Sequence, residues 1–142
     1  MKIKFTIVTL LFGIPAFLLG RVIWPDPTGV GMMPTSHQLP FFIFLSVLES
    51  LVFGFGVAFI FFGWKRANAT TPPERSLTMA AFYSVSWMLI SWWPHDNLHR
   101  HIGYNLSALL KIEYGFHFTL IIAAIITAGF LWRNVSTKIV KN

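Results

Sequence analysis

Four stretches of this chain are long and apolar enough to cross a bilayer as helices: 3–24, 41–64, 77–93 and 112–132. A helix needs about 20 apolar residues to span the hydrocarbon layer. The third run is the shortest and stops at Pro94, and Pro15 inside the first predicts a kink. Trp24, Trp64, Trp92, Trp93 and Trp132 fall at the ends of these runs, where indole favours the headgroup layer. The fold class that follows is all-α: an integral membrane four-helix bundle, with residues 1–142 as a single transmembrane domain.

Composition supports the same solvent. Hydrophobic residues make up 55% of the chain and charged residues 11%, whereas a soluble domain carries roughly a quarter charged residues to cover its surface. The lipid bilayer is therefore the first partner, with other membrane subunits as further candidates. The net charge of +6 does not imply nucleic acid, because the basic residues flank apolar runs and form no stripe. Lys2 and Lys4 before an apolar run resemble the start of a signal peptide. Leu18-Leu19-Gly20-Arg21 offers no small-x-small cleavage site, so the segment reads as a retained helix.

Basic residues set an expected orientation. Lys2, Lys4, Lys65, Arg66, Arg75, Arg133, Lys138 and Lys141 fall on one side, and Arg21, Arg100 and Lys111 on the other. By the positive-inside rule both termini are cytoplasmic, and the expected location is a bacterial inner (cell) membrane. The 25–40 and 94–111 connections then face outward.

The five histidines, His37, His95, His99, His101 and His117, all gather at that outer end, together with Asp26, Asp96 and Glu113. Cysteine is absent, which removes disulfides and thiolate ligation and leaves nitrogen and oxygen as metal donors. Pro94 suits the first position of a new helix. Leu98, Ile102, Leu106, Leu109 and Leu110 then recur at helical spacing, predicting a short amphipathic interfacial helix in the outer loop between spans 3 and 4. His95 and His99 lie one turn apart on its apolar face, and His101 points away.

Glu113 and His117 form a second i, i+4 pair at the start of the fourth span, on a face continued by Leu120, Ala124, Thr127 and Ala128. Such spacing places two ligands on one side of a helix. His95, His99, Glu113 and His117 are thus the candidate metal ligands, with Glu49, Asp96 and His101 as candidate support. Asp96 or Glu113 alternatively serves as acceptor for the free N–H of a ligating imidazole. Imidazole with carboxylate suits zinc, copper, iron or manganese.

Glu49 lies within the second span, where an unpaired carboxylate costs several kcal/mol. His117, Ser84, Ser86 and Ser91 are its candidate partners. Gly56 and Gly63 share its face and mark helix packing.

Plainer readings stand beside these. His95 and His99 also serve as anchors of an interfacial helix, His37 as a loop residue, and Met32 and Met33 as ordinary loop side chains rather than copper donors. The His-x-x-x-His-x-His run is superficially similar to the histidine boxes of membrane di-iron desaturases and hydroxylases. Those boxes are several and face the cytoplasm, so no family membership follows. Three functions compete: a metal-binding membrane protein, a non-catalytic structural or assembly subunit with the polar cluster as a clasp, and a b-type haem protein using two axial imidazoles. Conduction through Glu49 and His117 ranks below them, since one buried acid makes no path across.

Overall fold

A computed structural model describes residues 2–27, 34–103 and 105–141, with side chains up to Ser136. It contains α1 (Lys2–Ile23), α2 (Leu39–Asn68), α3 (Arg75–Ile102) and α4 (Leu106–Lys141). Among these residues each helix packs chiefly on its neighbour in the chain, α1 on α2, α2 on α3 and α3 on α4. Residues of all four helices also line one apolar cavity; of the four-helix membrane bundle expected from the sequence, the structure shows four helices packed chiefly in chain order.

Three of the helices, α1, α2 and α4, are long and apolar enough to cross a membrane. Their surfaces expose large apolar side chains such as Ile7, Phe44, Phe61, Ile121 and Ile125. A water-soluble fold of this size does not leave so much apolar surface uncovered. The third helix differs. Its sequence is the least apolar, yet it buries Ala81, Phe82, Ser84, Ser86, Ser91, Trp93 and Asn97. The hydroxyls of Ser86 and Ser91 donate to the carbonyls of Phe82 and Trp87 one turn back, so each is satisfied without a partner helix.

Small residues set how closely the helices approach. A Cβ on Gly54 would run into the Thr9 carbonyl and come within 2.7 Å of the Gly13 nitrogen. One on Gly56 would stand 2.8 Å from Leu89 and Ile90, and one on Gly63 2.9 Å from Phe82. In lipid, where apolar burial supplies little force between helices, such contact is what holds them. The packing face expected at Gly56 and Gly63 thus meets α3.

The separate interfacial helix is not formed. The third helix continues unbroken through Pro94 to Ile102 and ends at Gly103, where φ is +59°, and residues 106–110 begin α4. Proline removes only its own hydrogen bond, while packing on both sides of it favours continuation. Trp93 is buried between Trp24 and Phe53, and the Asn97 Oδ1 lies where a Cβ on Gly20 would approach to 3.1 Å. Trp93 is accordingly an interior residue, not the interfacial anchor expected of it.

Candidate metal centre

The site forms where the outer end of α3 meets the first turns of α4. His95 and His99 project from one side of α3 as the four-residue spacing requires. Glu113 comes from α4, and the three residues offer ligand atoms within 4.8 Å of one another. Glu113 Oε1 lies 3.4 Å from His95 Nε2 and also contacts His99 Nε2. Its other oxygen is 2.8 Å from His117 Nδ1. Three of the four residues singled out from spacing, the histidines, therefore converge on the carboxylate of the fourth, Glu113.

The ring of His95 is fixed from both sides. It stacks on Phe116, with centroids 3.7 Å apart and planes 14° from parallel. His99 meets it edge-on at 4.5 Å. On its far side, His95 Nδ1 lies 3.1 Å from Asp96 Oδ1, and Trp92 donates its indole N–H to Asp96 Oδ2 at 3.0 Å. A carboxylate accepts, so the proton of a neutral His95 sits on Nδ1 and Nε2 carries a bare lone pair. That nitrogen is buried and has no hydrogen-bond partner among the described residues. Its nearest polar neighbour, Glu113 Oε1, is also an acceptor. Two lone pairs facing each other at 3.4 Å repel unless a cation or a proton stands between them.

Two imidazoles and one carboxylate are a donor set that holds a divalent transition metal and leaves a coordination position open. Asp96 stands beside His95 Nδ1, where an acceptor would orient that imidazole if it held a metal. His117 is placed differently from expectation. It is 54% exposed and its Nδ1 also lies 3.0 Å from the Glu113 carbonyl, so it sits at the rim. Along α4 Ala123 is buried and Phe116, Leu120 and Thr127 are half-buried, whereas Ala124 and Ala128 are exposed, so the expected face is met at Leu120 and Thr127 but not at the two alanines.

Other candidates fall outside the cluster. His101 Nδ1 approaches the Pro25 carbonyl at 2.9 Å and serves the loop. His37 is exposed in the turn before α2. Met32 and Met33 lie outside the described residues. Among the described residues Glu49 meets Asp96, side chain to side chain across the α2–α3 interface, and neither His117 nor a serine; α4 packs chiefly on α3. The Glu49–Asp96 pairing was not readable from spacing, since it depends on the register between two helices distant in sequence.

The chain was compared with protein-family models, curated proteins and solved structures, and no match was found.

Proposed function

We propose that this is an integral membrane protein whose four helices all cross the bilayer, termini inside, and that it holds a transition-metal ion at its outer end. In this reading His95, His99 and Glu113 are the ligands and His117 steadies the second carboxylate oxygen. Asp96 orients His95. Zinc and ferrous iron suit this donor set best, and copper and manganese are also served by imidazole with carboxylate. The location that fits is a bacterial inner membrane. The observation that carries the reading is the buried Nε2 of His95, which has no hydrogen-bond partner among the described residues and faces an acceptor 3.4 Å away. A bound ion satisfies both atoms at once. Such an ion would act as a Lewis acid toward an oxygen ligand in its open position.

A structural clasp is the second reading, and one observation favours it: Glu113 already contacts three imidazoles. With protonated histidines the contacts to His95 and His99 alone would join α3 to α4 within a larger membrane assembly. A b-type haem is served less well. The Glu113 carboxylate occupies the space between His117 and both histidines of α3, where a porphyrin would have to stand.

Elemental analysis of the detergent-purified protein, beside a His95→Ala/His99→Ala variant, separates these readings. The metal reading expects close to one ion per chain in the wild type and at least tenfold less in the variant. A wild type that stays metal-free after incubation with zinc, ferrous and manganous salts would overturn it in favour of the clasp.

A further inference from the structure

A cavity of about 560 Å³ opens between α1, α2 and α3. Its polar groups are sorted by sign. At the outer end stand Arg21 and Arg100, both with guanidinium groups over the Phe42 ring, at 5.7 and 4.4 Å from its centroid. One carboxylate, Asp26, answers the two of them, so one positive charge and most of ten N–H donors are left over. One helical turn deeper, about 6 Å along α3, Glu49 and Asp96 line the same cavity.

Asp96 receives Trp92 and His95, but among the described residues Glu49, which lines the cavity beside it, faces only the other carboxyl group. Two carboxyls turned toward each other at this depth call for a donor or a cation between them. The third wall is apolar, formed by Ala16, Phe17, Leu39 and Ile43. Phe17, Leu39 and Ile43 are each at least 40% exposed at the helix surfaces, which opens the cavity sideways between α1 and α2.

We propose that this cavity binds the headgroup of an aminophospholipid: phosphate on Arg21 and Arg100, primary ammonium on Glu49 and Asp96, acyl chains leaving past Phe17, Leu39 and Ile43. Arginine pairs suit phosphate because their planar donors meet two oxygens at once. An ethanolamine linker carries its ammonium from the phosphate toward the carboxyl pair. A headgroup that ends in hydroxyls lacks the charge for that end, and a quaternary ammonium lacks the N–H donors. The sideways opening suits a ligand that arrives from the bilayer. This inference goes beyond the metal reading and does not depend on it, although the bound headgroup would lie beside His99, which lines the same cavity.

The test is native mass spectrometry of the full chain in detergent, before and after treatment with EDTA. Phosphatidylethanolamine, phosphatidylcholine and phosphatidylglycerol of identical acyl chains are titrated separately. Phosphatidylethanolamine should bind about tenfold more tightly than either, as one charge-assisted contact would provide, with or without EDTA. Glu49→Gln, which keeps the shape of the side chain, should remove that preference while leaving phosphatidylglycerol unchanged. Arg21→Gln/Arg100→Gln should weaken all three lipids by tenfold or more. If that double variant does not purify folded, Arg100→Lys replaces it and should weaken all three lipids by a smaller factor. Equal affinity for the three lipids in the wild type would overturn the proposal, as would a preference that survives Glu49→Gln. Displacement of the lipid by soluble phosphoethanolamine or inorganic phosphate at equal concentration would also overturn it, by making the ligand a water-soluble one. Metal content measured in the same samples keeps this outcome distinct from failure of the metal reading.

Discussion

The interface between α1 and α2 and the one between α3 and α4 solve the same problem by opposite means. At the first, glycine lets backbone meet backbone: a Cβ on Gly13 would stand 3.0 Å from the Ser50 carbonyl, and one on Gly54 would collide with Thr9. At the second, a Cβ on Gly115 or Gly129 would meet nothing within 4 Å, and side chains make the contact. His95 stacks on Phe116, Trp87 donates to Thr119 at 3.0 Å, and Glu113 gathers three imidazoles. Lipid is as apolar as leucine, so helices in it join either by close fit or by polar pairing. A chain that joins its first helix pair by one means and its last pair by the other can keep the fitted pair rigid and give the polar pair to chemistry.

The contrast can be broken most severely at Gly54. Gly54→Leu inserts a side chain where even a Cβ has no room, and overpacking of this kind costs about 1–3 kcal/mol or more. Loss of the folded species on size-exclusion chromatography, with metal content lost along with it, is the expected result. The polar interface is tested next by Asp96→Ala. Removing the acceptor that orients His95 should lower metal affinity about 10- to 100-fold in competition with a chelator, with helicity unchanged. Thr119→Val removes the acceptor for Trp87 and should lower stability in a detergent unfolding titration by about 0.6 kcal/mol. Gly115→Ala should be the mildest. It fills open space and raises helix propensity, so stability should stay the same or rise by up to about 1 kcal/mol. A large loss there would mean that another surface covers α4.

Legibility in the sequence divides along the same line. Local patterns marked out all four helices, because hydrophobic length and flanking charge are properties of single segments. Their ends were less readable. Pro94 reads as a boundary, but Trp93 packed on Trp24 and Asn97 packed on Gly20 carry α3 through it. The pairs His95/His99 and Glu113/His117 were visible as ligand spacings, since four residues on a helix is one face. That they share one carboxylate followed from α3 and α4 being chain neighbours. The Glu49–Asp96 contact and the arginine pair over Phe42 stayed hidden, because each joins helices whose relative register no local pattern encodes.

The division of ligands between α3 and α4 also orders events in time. His95 and His99 are in place as soon as α3 forms, but two imidazoles alone hold a divalent ion weakly compared with a set that includes a carboxylate. Glu113 arrives only when α4 folds back across the short turn at Gly103. Metal capture would then be the closing step of assembly, and an occupied site would report that the α3–α4 hairpin has docked.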